Sequence, residues 1–202
     1  MTHSSRHPRK RSPGVYRGKV KNSDRVVQTP SYWNTSQPYP VVDREKPGKG
    51  FRHFLTRSDI FAFVGILPEW EEVSKGLDGV LLSSGEKGVD GWHTRSIVAI
   101  SAWERECWRV VPVEYYHVHK YLLGRLKVPC LKQGREYQCR FTPSQIRAFQ
   151  LLHVFLHELG HHHDRMTTKS RKESSRGELF AEHYALKYGE RVWDRYMDVF
   201  GL

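Results

Sequence analysis

The rhythm of apolar and polar positions divides this chain of 202 residues into three stretches. Residues 1–50 carry no period beyond patches such as Val26-Val27 and Val41-Val42, and read as a disordered or loosely draped tail. A domain is expected over 51–202. Ser58 is placed to cap a helix running to about Leu67, which Pro68 stops. GVLLSS (79–84) reads as a strand, GEKGVDG (85–91) as a Gly-rich turn and SIVAISAW (96–103) as a second strand. RVVPVEYY (109–116) is a third, which Pro112 puts at an edge or makes irregular. HVHKYLLGRL suggests a short helix, and residues 128–141 a hairpin turning at Gly134-Arg135.

The third stretch has a helical period. Thr142-Pro143-Ser144-Gln145 supplies a capping hydroxyl, Pro at the first helical position and Gln at the third. The helix should run through QIRAFQLLHVFLHELGHHHDRM into the polar loop TTKSRKESSR. A further helix begins near Gly177 and passes through ELFAEHYALKY. Gly189 is expected to interrupt it before a last amphipathic helix, ERVWDRYMDVF. The fold class is α+β: a small antiparallel or mixed sheet packed on a long helix, with C-terminal helices after it.

Charge sharpens the division. Residues 1–50 carry 11 Lys/Arg against 3 Asp/Glu, or +8, and six of the ten prolines; the rest of the chain carries only +3 of the net +11. RHPRKR (6–11) reads as a solubilising arm in preference to a nucleic-acid anchor, because no recognition fold accompanies it. The longest apolar run, IFAFVGIL, is too short to span a bilayer, and no apolar stretch follows the basic N-terminus; a cytoplasmic protein without membrane contact is expected. Cys107, Cys130 and Cys139 are expected to be reduced there. Cys130 and Cys139 would nevertheless face each other across the hairpin.

The chemistry concentrates in FLHELGHHHDR (155–165). Helical positions four apart share a face, so His157 and His161 point the same way and can hold one ion. Glu158 lies about 100° round from His157, beside the pair, where it can take a proton from water at the ion. The competing reading is a His-rich surface helix; apolar neighbours on most sides and Gly160, suited to close packing, argue against it. His162 and His163 point away from the pair, towards the surface or a supporting role. His153, one turn earlier, is placed to line the cleft, but reads in preference as a partly buried, hydrogen-bonded ring. Asp164 is placed to orient an imidazole or to pair with Arg165. A catalytic zinc takes three protein ligands. In a metzincin the third would be a His at position 167, which is Thr here. The next helix offers Glu178 and Glu182 on one face, but Ser175–Glu178 also spells a capping box that would turn Glu178 back to the helix end.

HELGH followed by Glu178-Leu179-Phe180-Ala181-Glu182-His183-Tyr184-Ala185 resembles the gluzincin class of zinc metallopeptidases, in a minimal form. The resemblance covers roughly 79–190 and is specific at 157–161 and 178–185. It implies a zincin-like domain that binds one Zn²⁺ through His157, His161 and Glu178. Glu158 would be the catalytic base, and Glu182 the carboxylate that holds a ligand histidine in its tautomer. Gly177 stands where thermolysin-like enzymes have Asn, and Glu182 where they have Asp. No residue matches the class's oxyanion-stabilising His or Tyr; Tyr115, Tyr116, His183, Tyr184 and Tyr188 are candidates. A zinc-dependent peptidase acting on peptides or proteins is therefore expected, with SIVAISAW as the strand that pairs with substrate. The alternative is a catalytically inactive zinc-binding scaffold, associated with nucleic acid through its basic tail.

Overall fold

The structure, a computed structural model, describes residues 31–168 and 175–202 and the backbone of two short strands near the N-terminus. The chain divides into two units, Met1–Ser31 and Tyr32–Leu202. In the first, Val15–Tyr16 (β1) pairs antiparallel with Lys19–Val20 (β2). The rest of the basic tail, RHPRKR included, and residues 169–174 of the expected polar loop lie outside the described residues.

The second unit begins well before residue 51. Val41–Arg44 (β3) is a strand of the main sheet, and the Gln37 amide donates to Asp78 at 2.7 Å. The tail boundary therefore moves from residue 50 to residue 31. A two-residue apolar patch carries too little pattern to announce a strand, and here the pairing comes from the partner. Phe51–Arg52 (β4) follows. Arg57–Ile66 (α1) is capped by Thr56 in a reciprocal box with Asp59, two residues before the expected cap at Ser58, and ends at Leu67 ahead of Pro68. Trp70–Val73 (α2) is a single turn.

Gly79–Ser83 (β5), Gly91–Thr94 (β6) and Ile97–Ser101 (β7) complete a four-stranded mixed sheet in the order β3-β5-β7-β6. β3, β5 and β7 run parallel, and β6 returns antiparallel beside β7. Every residue of β5 and β7 is buried, as continuous apolar runs covered on both faces should be. SIVAISAW is thus an interior strand with both edges paired, not the free edge the sequence suggested. The edges are β3 and β6, and the residues of β6, GWHT, carry little strand signal.

Trp103–Glu104 (β8) pairs with β4. Trp108–Pro112 (β9) forms the edge of a second sheet, and Val113–Arg125 (α3) starts directly after Pro112, so the expected third strand becomes a helix halfway along. Cys130–Gln133 (β10) and Glu136–Arg140 (β11) form the expected hairpin, in sheet order β10-β11-β9. Cys130 and Cys139 lie directly opposite each other and form a disulfide, where reduced thiols were expected; Cys107 is free.

Thr142 and Gln145 close the expected capping box, with Pro143 at the first position. One continuous helix follows: Pro143–Phe149 (α4), a π-helical segment over 150–155, and Leu156–Thr167 (α5). Its apolar side joins Trp103, Phe63 and Tyr196 in the main core. Gly177–Phe200 (α6) is unbroken. Gly189 does not interrupt it. A Cβ there would meet the Leu152 carbonyl oxygen at 3.1 Å, so the glycine admits the π segment. No helix among the described residues is long and apolar enough to cross a membrane.

Candidate metal centre

α5 and α6 cross closely because Gly160 has no side chain. A Cβ at that position would stand 3.0 Å from the Ala181 Cα and 3.1 Å from the Tyr184 Cβ. The crossing is fixed at one end by Asp164. Its buried carboxylate accepts the Arg176 amide at 2.6 Å at the start of α6, with the Arg176 guanidinium 3.6 Å away. Asp164 thus orients no imidazole, and Arg165 donates instead to the Arg95 carbonyl.

Two residues beyond Arg176, Glu178 meets the histidine pair. Its carboxylate oxygens lie 3.1 Å from His157 Nε2 and 3.5 Å from His161 Nε2. One donor atom from each of the three residues lies within 4.8 Å of the others. Tetrahedral zinc, at about 2.0–2.1 Å from its N and O ligands, holds those donors roughly 3.3–3.4 Å apart. The observed separations bracket that span, so the three residues fit the ion. The rival capping box is not formed: Arg176 is the cap residue of α6 and its own side chain does not bond the helix end.

Behind this triad, Glu182 faces His157 Nδ1 at 3.3 Å. A carboxylate there holds the proton on Nδ1 and leaves Nε2 for an ion. Burial alone would lower the His157 pKa, but the hydrogen bond to Glu182 and the charges of Glu158, Glu178 and Glu182 outweigh it and raise the value. Burial, then the neighbouring His157, lowers that of His161. Glu158 is 7% exposed. Burial, opposed by His157 and reinforced by Glu178 and Asp90, pushes its carboxyl up to about 8. It has room only because residue 91 is glycine; a Cβ on Gly91 would lie 2.9 Å from Glu158 Oε1 and 2.8 Å from the Ala99 carbonyl oxygen. Gly88–Gly91, Glu158, His157, Glu178 and Glu182 line a cleft of about 290 Å³. A larger cavity of about 530 Å³, bounded by Cys107, Trp108 and Arg140, holds no histidine.

The same cleft contains His119 and Asp90, which the sequence reading missed. His119 Nε2 lies 2.8 Å from His153 Nε2, and His119 Nδ1 lies 2.7 Å from the Tyr115 carbonyl oxygen. His153 is 3.7 Å from Glu182. Burial lowers both pKa values, that of His153 to about 3. The Tyr115 hydroxyl donates to Asp90 at 2.5 Å, and Arg109 bridges Asp90 and Glu104. His119 lies 34 positions before His153, on another helix, and no spacing rule links them. His153 itself is the buried, hydrogen-bonded ring the sequence suggested.

Other candidates fall elsewhere. His162 is fully buried, not superficial, with Nε2 2.9 Å from the Lys75 carbonyl oxygen. His163 stacks against both Phe180 and Tyr184. Of the proposed oxyanion donors only Tyr115 lines the cleft. Tyr116 stacks on Tyr137, the Tyr188 hydroxyl donates to the Pro68 carbonyl, Tyr184 packs on Tyr188, and His183 is exposed. No family model, no curated protein and no solved structure matches the chain.

Proposed function

We propose that this chain is a zinc-dependent metallopeptidase of the gluzincin kind, with a zincin-like domain, cutting peptide or protein substrates in the cleft beside α5. The observation that carries the reading is the convergence of His157, His161 and Glu178, with the buried Glu158 next in the chain to His157 and lining the same cleft. The three residues would hold Zn²⁺, which when bound supplies a Lewis acid for the scissile carbonyl and lowers the pKa of water. Glu158 takes the proton of the attacking water and delivers it to the leaving amine. Glu182 holds the His157 ring in register. The outer edge of β6, beginning at Gly91 in the cleft wall, pairs with an extended substrate backbone.

The test uses purified protein loaded with zinc. His157→Ala or His161→Ala should each lose the ion of this triad. Glu158→Gln should keep metal and fold and abolish cleavage of a peptide library, because an amide cannot accept the proton. Cleavage by Glu158→Gln at the wild-type rate would remove Glu158 as the base. Zinc bound by a wild type that cleaves nothing would favour the inactive scaffold.

A further inference from the structure

We propose that the cleft binds a second Zn²⁺, held by His119, His153 and Glu182, beside the His157–His161–Glu178 centre. The proposal rests on the metallopeptidase reading only for the occupant of the first centre; the second donor set stands on its own geometry. One donor atom from each of the three residues lies within 4.8 Å of the other two, the same convergence as in the first triad. The donors come from three separate helical stretches: α3, the π segment and α6.

Three features fit a cation and not merely a packed core. His119 Nδ1 faces the Tyr115 carbonyl oxygen, which only accepts, so Nδ1 carries the proton and Nε2 presents its lone pair towards His153 Nε2. His153 Nε2–H donates to that lone pair at 2.8 Å, and a zinc ion taking the proton's place would draw the two nitrogens apart to roughly 3.3–3.4 Å. Glu182 supplies the second feature. One of its oxygens faces His157 Nδ1 and His153 Nε2, while the other, Oε1, is buried with no hydrogen-bond partner. A buried carboxylate oxygen without a donor is costly, and a cation bound to the carboxylate removes the cost. The third feature is chemical. Two imidazoles and a carboxylate form a ligand set suited to zinc, the same as in the first centre. The π segment contributes as well, since the wider helical turn sets the direction in which His153 leaves the helix, and such segments recur at functional sites.

Glu182 then has two tasks. It accepts the Nδ1 proton of His157, a ligand of the first ion, and it binds the second ion itself. The two centres are joined through one carboxylate and one imidazole, so filling one should change the affinity of the other.

Metal analysis of the full-length protein after equilibration with a zinc buffer decides the matter. Wild type should hold two zinc ions per chain. His119→Phe, which keeps the ring volume, should hold one, and so should His161→Ala. Glu182→Ala should hold one, bound about 10–100-fold more weakly than the first ion of wild type. Wild type with a single ion overturns the proposal whatever the variants do. Two ions in both wild type and His119→Phe overturn it too, because the extra ion then sits elsewhere. If wild type holds two ions and His161→Ala keeps both while His119→Phe loses one, the second site stands and the first-centre reading fails.

Discussion

At the scale of single residues the centre depends on a carboxylate kept where carboxylates are uncomfortable. Glu158 titrates near 8 in the fold against about 4.5 in the unfolded chain. The folded state therefore keeps a proton that the unfolded state gives up. The stability associated with it is fully present below about pH 4.5 and is lost as pH rises through about 8. Glu158→Gln has nearly the same shape and no charge to bury. In metal-free protein it should melt several degrees above wild type at about pH 8 and close to wild type at about pH 5. Parallel Tm curves for the two proteins would show that burial does not govern Glu158. Gly91 is the residue that makes the burial sterically allowed. Gly91→Ala should lower Tm and, on the proposed function, impair cleavage as well, because its Cβ would press on a backbone carbonyl and on the Glu158 carboxylate. HELGH was legible in the sequence because its chemistry depends on positions one turn apart. Gly91 was not, since its neighbour Glu158 is 67 positions away and only the folded sheet brings them together.

At the scale of elements, the crossing of α5 over α6 sets the ligand geometry. Gly160 lets the two backbones approach, and Asp164 ties their adjoining ends. Gly160→Ala improves intrinsic helix propensity by up to about 1 kcal/mol. Its Cβ would nonetheless lie 3.0–3.2 Å from Ala181 backbone atoms, and overpacking of that kind costs about 1–3 kcal/mol. The variant should therefore lose stability and, because α6 carries Glu178 and Glu182, bind zinc more weakly. Unchanged zinc affinity would mean that the crossing does not position the carboxylates. The same reasoning explains which elements the sequence disclosed. Thr142 and Gln145 announce a helix locally, through a cap that needs no tertiary partner. Gly189 was read as a break because glycine is a poor helix former, whereas here the missing side chain is a packing device against Leu152. β6 stayed hidden because GWHT has no alternation to detect, and its status as an edge comes from the neighbouring β7.

At the scale of the whole molecule, the question is where the folded unit starts. Composition put the boundary at residue 50, since basic and proline-rich sequence continues to that point. The sheet puts it at 31/32. β3 covers one edge of β5 along Val41–Arg44, the Tyr32 hydroxyl bonds Asp43 at 2.9 Å, and Arg57 bridges Asp43 at 2.8 Å. Gly79 carries no side chain where the Tyr32 ring lies against it; a Cβ there would meet that ring at 2.8 Å. Two truncations separate the alternatives. Removal of residues 1–31 should leave Tm, zinc content and cleavage close to those of the intact chain. Removal of residues 1–50 takes away β3, leaves the backbone groups along one edge of a fully buried strand unpaired, and opens the sheet to pairing with other chains. That shorter protein should melt many degrees lower and aggregate, measured by thermal unfolding and light scattering. Equal stability of the two truncations would return residues 32–50 to the tail. A loss on removing residues 1–31 alone would extend the folded unit to the N-terminal hairpin.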